Sequence, residues 1–583
     1  MYIYKTKLDG SNFLNNSEHP IAKSYIEQIN SSCDKFRVKP ITELPFSKFR
    51  LYEENGERPS YQKEYFERRR RLAMFTLRAW LWKEKADVSE LEDVLFAVCN
   101  EYTWDIPAHL VGIMKGESIP TNKIDLFAAE TAQSVAEALS LCGDLLHPLV
   151  VKRCIDEVFK RVIEPFESGE SEKYGLWWEN HPNNWAAVCG GCVGMAALYL
   201  IEDKERLRKI TERTKKSCIS FFNSCKDDGV CLEGVTYWTY ATQYYVAFDE
   251  LLYERLGERI PKDEDKMRRL STFPALACLG EGVYINFSDC SDTHLFYGIL
   301  CKLHERYKMP VPPSSYFKYI IDRCARTCGA IRSVAWFDPY LTEEKPLLTD
   351  VFLPDAQWAI TRRADMTLAV KGGHNDEPHN HNDVGSYILV KGKDQLIVEL
   401  GAEKYYKGYF SEKRYEYFST GSHGHSLPII NGHRQCEGRD FAADKFEQSK
   451  NSVAISFKNA YPKEAELDSL VRNLTLDESS LTVVDSFKFR KSKNSVSERI
   501  ITKLEVSIVD ESHVSLSDDG KTLGAIEFMQ RGKINLMNES YFVPNSSGKN
   551  DEYSTDETPT FFTIIEFESE CQGDSTEISY KVY

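Results

Sequence analysis

Histidines are concentrated in one short stretch of this chain. The sequence has 13 histidines in 583 residues, and six of them lie between residues 374 and 433. In the segment Pro378-His-Asn-His-Asn-Asp-Val-Gly-Ser386, extended backbone would point the side chains of His379 and His381 to the same side. Two neighbouring imidazoles are suited to binding a divalent metal ion.

A metal site needs further ligands from outside this segment. Glu399 ends the next β-rich run and His425 follows it, which would complete a His, Glu, His set with Asn and Asp side chains as outer partners. The competing interpretation is that several of these histidines only hydrogen-bond loop backbone groups.

Three tryptophans and three asparagines lie together in a second segment, Trp177-Trp-Glu-Asn-His-Pro-Asn-Asn-Trp185. Aromatic faces stack on sugar rings, and amides hydrogen-bond hydroxyl or carboxylate groups, so the segment predicts a carbohydrate subsite. Each tryptophan taken singly is equally compatible with a place in the core.

Tyrosines share one face of a predicted helix that begins near Glu233. Tyr237, Tyr240 and Tyr244 are three and four residues apart, and such residues lie on the same side of a helix. A tyrosine stripe is commonly core, but the Thr and Gln residues between these tyrosines favour a solvated cleft.

The elements that must position these residues divide the chain in two. From about residue 60 to 330 the apolar residues recur at helical spacing, whereas after Val351 the sequence consists of short β-rich runs separated by Gly, Asp and Asn turns. We therefore predict an α-helical domain over residues 1–340 and an antiparallel β-sandwich over residues 341–583, with a linker from Arg332 to Pro354 that holds Pro339 and Pro346.

Charge and composition restrict the partners. The chain carries 73 Lys and Arg against 89 Asp and Glu, a net charge of −16, which argues against nucleic acid. The sequence contains neither a long apolar run nor an apolar stretch at its start, so we expect no membrane association and a cytoplasmic location. The 16 cysteines are expected to be reduced and mostly buried.

These motifs together resemble the heparinase II/III-like polysaccharide lyases, a superfamily that includes oligoalginate lyases. The most specific stretches are Pro378 to Tyr387, Leu396 to Gly401, Arg414-Tyr415 and Ser422 to Gly432. The resemblance implies an incomplete (α/α) toroid followed by an antiparallel β-sandwich, with the active site between them. It also implies cleavage of uronic-acid glycans by β-elimination, in which a base removes the C5 proton, an acid protonates the leaving O4, and no organic cofactor takes part.

The resemblance also implies roles for the helical residues and for His379. Asn184 and His379 would hydrogen-bond the substrate carboxylate as its enolate develops, with Asn183 as a rival to Asn184. Tyr237 and His379 would act as base and acid, with Tyr240 as the alternative tyrosine.

Further roles follow from the Arg414-Tyr415 match. Tyr415 would be a second tyrosine of the site, although Tyr409 and Tyr417 lie close enough in sequence to compete. A tyrosine has an ordinary pKa of about 10, so a basic Tyr needs a positive neighbour, either Arg414 or the metal.

Four residues would contact substrate, and three would bind the metal. The implied substrate contacts are Asn183, Trp185, Tyr240 and Arg414.

The implied ligands are His381, Glu399 and His425, holding a mainly structural divalent ion. Zinc is favoured, with Mn or Ca as alternatives. Glu399 stands where relatives often have Asp, which is why Mn and Ca are kept beside zinc.

Two other classes of function compete with the lyase. A glycoside hydrolase acting on unsaturated uronyl oligosaccharides would use a pair of acids from Asp105, Glu233 and Asp289, and Glu233→Gln would then abolish turnover. A non-catalytic carbohydrate-binding protein would explain the tryptophans but not the histidines.

We expect an acidic polysaccharide or oligosaccharide, with glycosaminoglycans such as heparan sulfate, chondroitin or hyaluronan favoured over alginate. We expect a monomer or homodimer. The basic residues that could line a groove for a polyanion are Lys404, Lys407, Lys413, Arg414, Arg434 and Arg439.

Overall fold

The structure is a computed structural model in which the first half of the chain is helical. It describes residues 2–110, 121–280, 282–290, 293–313, 316–341, 349–405, 407–543, 559–571 and 573–583. The helices of these ranges are α1 Ser11–Asn15, α2 Pro20–Arg37, α3 Phe46–Phe49, α4 Leu51–Asn55, α5 Pro59–Trp82, α6 Lys85–Cys99, α7 Leu126–Cys142, α8 Pro148–Val158, α9 Glu164–Ser168, α10 Ser171–Tyr174, α11 Asn184–Leu200, α12 Lys204–Ser224, α13 Gly234–Leu256, α14 Glu264–Leu276, α15 Tyr297–Tyr307 and α16 Thr327–Ala335.

The helices differ in how much of their surface is buried. Nearly every residue of α7 and α11 and most residues of α13 are buried, and α11 packs between the other two. In contrast, α2, α8 and α12 bury only one stripe and expose a polar face, as amphipathic outer helices do. This inner and outer arrangement is the one expected of an (α/α) toroid. None of the helices in the described ranges is both long and apolar enough to cross a bilayer.

Strands dominate the second half. The strands of the described ranges are β1 Cys278–Gly280, β2 Val283–Tyr284, β3 Val351–Leu353, β4 Trp358–Arg363, β5 Met366–Lys371, β6 His374–Asn375, β7 Tyr387–Lys391, β8 Asp394–Ile397, β9 Ile429–Ile430, β10 Gly438–Ala442, β11 Lys445–Ser449, β12 Ser452–Ser456, β13 Leu467–Leu476, β14 Leu481–Phe489, β15 Asn494–Thr502, β16 Glu505–Ile508, β17 His513–Asp518, β18 Lys521–Phe528, β19 Lys533–Tyr541, β20 Thr560–Cys571 and β21 Ser575–Val582.

Three antiparallel sheets build the sandwich. Their strand orders are β3-β4-β5-β7-β8, then β11-β12-β13-β14-β21-β18-β17-β16, and β19-β20-β15-β9. Alternate residues of β13 and β14 are buried, as expected of strands with one face in a core. The first sheet is buried on both faces: Trp358 and Ile360 pack into the helical core, whereas Ala359 and Leu368 pack into the sandwich core. This sheet therefore joins the two halves.

The predicted fold class, a helical toroid followed by an antiparallel sandwich, is confirmed. The last helix ends at Ala335 and the first strand of the sandwich begins at Val351, while Pro346 of the predicted linker lies outside the described residues. One feature departs from the all-helical expectation for the first half. The hairpin β1–β2 interrupts the helices and leads into a loop, Asn286 to Cys290, that contacts the sandwich.

Candidate active site

The histidine-rich loop of the sandwich faces the amino-terminal ends of two inner helices. His379 lies between β6 and β7, Asn184 is the first residue of α11, and Tyr237 lies in the first turn of α13. The backbone of His379 is in the left-handed region, with φ +57°, a conformation uncommon for residues other than glycine. The side-chain contacts of His379 hold it there, and strain of this kind is frequent at functional sites.

Glu233 connects the helical asparagine to the histidine. One carboxylate oxygen of Glu233 accepts the backbone N–H of Asn184 at 3.0 Å, and the other accepts the Asn184 side-chain Nδ2–H. The second oxygen also lies 3.5 Å from Nε2 of His379. Burial raises the pKa of Glu233. This network contains Asn184 and not Asn183, whose Oδ1 instead accepts the backbone N–H of Trp185 and caps α11.

Tyr237 and His379 form a stacked pair across the boundary between the two halves. Their ring centroids are 4.1 Å apart with planes inclined by 23°, and the Tyr237 hydroxyl is 2.6 Å from that of Tyr405. Tyr240, the alternative, is buried one turn further along α13, where the Arg326 guanidinium lies 3.6 Å from its ring centroid. The geometry therefore brings Tyr237 to the histidine, and Tyr240 lies outside this group.

The sequence called for a positive neighbour, Arg414 or the metal, beside a basic tyrosine, whereas the residues that surround Tyr237 raise its pKa. Burial, with a contribution from the negative Asp289, raises the pKa of Tyr237 above its ordinary value. Arg414 does not offset this, because its guanidinium is paired with Asp289 at 2.9 Å. Tyr237 is therefore protonated near neutral pH in the free protein.

Asp289 is the centre of the hydrogen-bond network, and the lyase interpretation of the sequence did not include it. Its Oδ2 accepts from His379 Nδ1 and Arg414 Nη2, both at 2.9 Å. Its Oδ1 accepts from His381 Nε2 at 3.0 Å and from the Tyr409 hydroxyl at 2.7 Å. Burial alone would raise the pKa of Asp289, but Arg414 and the histidines outweigh it and hold the pKa well below its usual range.

The Arg414-Tyr415 segment contacts the histidine loop rather than an open cleft. Arg414 is buried and donates to the Asn380 carbonyl at 3.0 and 2.8 Å in addition to its pair with Asp289. The Tyr415 hydroxyl accepts from Asn380 Nδ2 at 3.2 Å. Tyr409 rather than Tyr415 reaches Asp289, so the competing tyrosine has the more direct link to His379. Arg414 is engaged within the protein, which differs from the expected substrate contact.

Three buried side chains are arranged to hold a cation. His381, Asp383 and His425 each offer a ligand atom, and these atoms lie within 4.8 Å of one another. His381 Nδ1, Asp383 Oδ2 and His425 Nε2 are buried and have no hydrogen-bond partner among the described residues. Two imidazoles and one carboxylate form a donor set typical of zinc. The residues present therefore fit a divalent ion.

Glu399, the acidic ligand expected from the sequence, is not part of this group. Its Oε2 accepts from His425 Nδ1 at 2.5 Å and its Oε1 accepts the Ser386 hydroxyl, so both oxygens are occupied. Glu399 instead orients His425 so that Nε2 is free, while Asp383 supplies the carboxylate. A signal for Asp383 is present in the sequence, because it follows His379 and His381 at the same two-residue spacing.

Two of the three tryptophans form an aromatic surface beside Asn184. The ring centroids of Trp177 and Trp185 are 4.8 Å apart, and that of His109 lies 5.1 Å from Trp185. Trp177 is 48% exposed. Trp178 is a core residue, with its indole N–H donated to the Ile124 carbonyl.

The acids nominated for hydrolase chemistry are buried and accept hydrogen bonds from the protein. Asp105 is fully buried, and its Oδ2 accepts the Thr103 hydroxyl. Glu233 and Asp289 do flank His379, but N–H or O–H donors occupy the oxygens of both carboxylates. Neither is presented as an open acid or nucleophile.

Comparison with known proteins agrees with the two-part architecture. Residues 345–562 match the family model described as Heparinase II/III-like, C-terminal. The chain is similar to the crystal structure of heparinase III, with a TM-score of 0.62, 11% identity, and coverage of 98% of this chain and 90% of that one. No curated protein sequence matches the chain.

Two further solved structures are similar. A heparan sulfate lyase HepC mutant from Pedobacter heparinus has a TM-score of 0.58 and 12% identity, covering 90% of this chain and 77% of that one. The chondroitin AC lyase of Streptomyces coelicolor A3, in complex with chondroitin sulphate, has a TM-score of 0.52 and 10% identity, covering 95% of this chain and 78% of that one. At these identities the similarity establishes the fold.

Proposed function

Because its residues 345–562 match the heparinase II/III-like C-terminal family model, we propose that this chain is a polysaccharide lyase that cleaves uronic-acid glycans by β-elimination. The observation that carries the proposal is the stacked pair of Tyr237 and His379, joined to Asn184 through Glu233. Two proton-transfer groups and one amide are thus assembled from both halves of the protein. β-Elimination needs these three groups and no organic cofactor.

The uronate carboxylate must first be bound so that the C5 proton becomes acidic. Asn184 is suited to this because Glu233 fixes its side chain, and a preorganised amide stabilises the enolate that develops when C5 loses its proton. The electron pair left at C5 then forms the C4–C5 double bond as the bond from C4 to O4 breaks.

The two proton transfers fall to His379 and Tyr237. Asp289 accepts the Nδ1–H of His379, which leaves Nε2 as the basic nitrogen, as in other carboxylate–histidine pairs. Tyr237 has a raised pKa and is protonated, so it is suited to donate its proton to the departing O4. We therefore assign the base to His379 and the acid to Tyr237, with Tyr415 and Arg414 supporting the loop that carries His379.

The cation site supports the same loop. His381, Asp383 and His425 would hold a divalent ion, with zinc favoured by the donor set. A bound ion would supply a structural link between the His381 loop and the His425 segment.

The proposed substrates are acidic polysaccharides or oligosaccharides, with glycosaminoglycans favoured. Support comes from the names of similar structures, which include heparinase III, a heparan sulfate lyase and a chondroitin lyase. The aromatic surface of Trp177 and Trp185 beside Asn184 is suited to stacking on a neighbouring sugar ring. Oligoalginate cleavage is the alternative within the same chemistry.

Product mass distinguishes the proposal from hydrolysis. Elimination divides the substrate without adding atoms, whereas hydrolysis adds one water. We expect mass spectrometry of heparan sulfate or chondroitin oligosaccharides incubated with the protein to give products whose masses sum to that of the substrate. Products heavier by one water in total would establish a hydrolase and overturn the proposal.

A further inference from the structure

Asp289 contacts both the catalytic histidine and a ligand of the cation site. His379 Nδ1 and His381 Nε2 approach different oxygens of this one carboxylate, at 2.9 and 3.0 Å. All three residues lie where the halves meet, and the side chain of Asp289 is fully buried. Asp289 comes from the helical half and both histidines come from the sandwich.

The contacts fix which nitrogen of each ring carries the hydrogen. A carboxylate only accepts hydrogen bonds, so the nitrogen facing Asp289 must be the N–H in both rings. His379 then keeps Nε2 free of the hydrogen, 3.5 Å from Glu233 Oε2 and without a hydrogen bond to it, and His381 offers Nδ1 toward Asp383 and His425. The Nδ1 of His381 is also the buried atom without a partner among the described residues.

We propose that Asp289 is a positioning residue that couples the cation site to His379, by holding both histidines in the tautomers that cation binding and catalysis require. The proposal rests on the proposed lyase function only for its kinetic arm. Arg414 and Tyr409 keep the carboxylate in place through their own contacts, at 2.9 and 2.7 Å. One carboxylate thereby sets two ring orientations.

The first test measures zinc binding by the Asp289→Asn variant in the absence of substrate. The two rings approach different carboxylate oxygens, and the amide replaces one of these with an NH₂ donor, so it cannot accept from both rings at their present positions. We expect zinc affinity, measured by competition with a chromophoric chelator, to fall about 10-fold to 100-fold, the usual effect of losing a group that orients a metal ligand. Unchanged zinc affinity in the folded variant would overturn the proposal.

Asp228→Asn is the matched control. Asp228 also joins the two halves, because its carboxylate accepts the backbone N–H groups of Asp355 and Ala356, but it has no contact with His379 or His381. Its zinc affinity should equal that of the wild type. A loss of zinc in both variants would mean that any weakened junction releases the ion, which also overturns the proposal.

Turnover measurements test whether Asp289 couples the cation site to His379. Removing zinc from the wild type should lower kcat, whereas removing it from Asp289→Asn should have little further effect, because the connection is already broken. Equal proportional losses in the two proteins would contradict the coupling. If no substrate is turned over at all, the proposed function fails, and the zinc measurement still decides the role of Asp289.

A measurement on the wild type tests the proposal even if the Asp289→Asn variant does not fold. Nitrogen-15 histidine labelling and long-range proton–nitrogen NMR report the tautomer of each ring, with assignments from single His→Gln variants. We expect the zinc-loaded protein to have the hydrogen of His379 on Nδ1 and that of His381 on Nε2. The opposite tautomer at His381 would overturn the proposal.

Discussion

The Tyr237→Phe substitution removes one hydroxyl from the stacked pair and leaves the ring in place. Among the described residues the hydroxyl makes one hydrogen bond, to Tyr405 at 2.6 Å. Its loss should cost about 1 kcal/mol of unfolding free energy, the usual contribution of one such bond. The ring contact with His379 is retained, so the variant should fold.

The effect on turnover should be much larger than the effect on stability. Removing a general acid typically costs 10²-fold to 10⁴-fold, which is about 3 to 5 kcal/mol on the activation barrier. The assay is the initial rate of unsaturated product, followed by its ultraviolet absorbance at saturating substrate, beside thermal unfolding of the same preparation. KM should change little, because the hydroxyl acts on the departing oxygen.

Tyr245→Phe is the matched control on the same helix. Tyr245 is buried against Phe222, with ring centroids 6.2 Å apart, and is remote from His379. Its kcat should equal that of the wild type. If Tyr237→Phe kept a kcat within about threefold of this control, the phenol would not be the acid and the assignment would be refuted.

Four further outcomes are expected. Asn184→Ala should lower kcat about 10²-fold to 10³-fold, as the loss of one enolate donor does, and a change in KM alone in steady-state kinetics would contradict this role. Trp185→Ala should raise KM about threefold to tenfold at unchanged kcat, since one aromatic contact is worth about 0.5 to 1.5 kcal/mol. Zinc at 100 times its Kd should raise the unfolding free energy of the wild type by about 2.7 kcal/mol, measured by thermal unfolding. It should not stabilise the His425→Ala variant, which lacks a ligand. Burial raises the pKa of Glu130 to about 7 from an ordinary 4.5, so between these pH values the folded state binds a proton that the unfolded state releases. The free energy of unfolding should therefore fall as pH rises from 4.5 to 7, by at most about 3 kcal/mol. Denaturant titrations of Glu130→Gln should show a smaller fall over the same pH range.

The structure also changes how one hydrolase test is interpreted. From the sequence, loss of activity in Glu233→Gln would have indicated a hydrolase. Because Glu233 fixes Asn184 and lies 3.5 Å from His379, the same loss is now expected of a lyase. Tyr237→Phe still separates the two chemistries, since a hydrolase that uses two carboxylates does not need the phenol.

The division into a helical and a β-rich half could be predicted from sequence because each half has its own hydrophobic period. The β-rich runs that begin at Trp358, Met366 and Leu481 are strands, and each is long enough to be recognised, the first two as continuous buried runs and the third by its alternation. The hairpin β1–β2 was not predicted. Its strands have three and two residues, too few to show a period.

The candidate site could be predicted only where its residues share a motif. His379 and His381 were identifiable because they stand two residues apart. Asp289 lies 90 residues before His379 in a loop without a recognisable pattern, and only the packing of the halves brings them together. The choice between Glu399 and Asp383 depends on side-chain hydrogen bonds, about which sequence spacing says nothing.

The central claim is tested most directly by ultraviolet absorbance during separate incubations with heparan sulfate, chondroitin sulfate, hyaluronan and alginate. Only β-elimination creates the conjugated 4,5-double bond in the product. We predict a rise with at least one polymer or its oligosaccharides, and no rise with the Tyr237→Phe, His379→Ala double variant. Cleavage detected as new reducing ends without absorbance, or no cleavage of any polymer with and without added zinc, would contradict the lyase account.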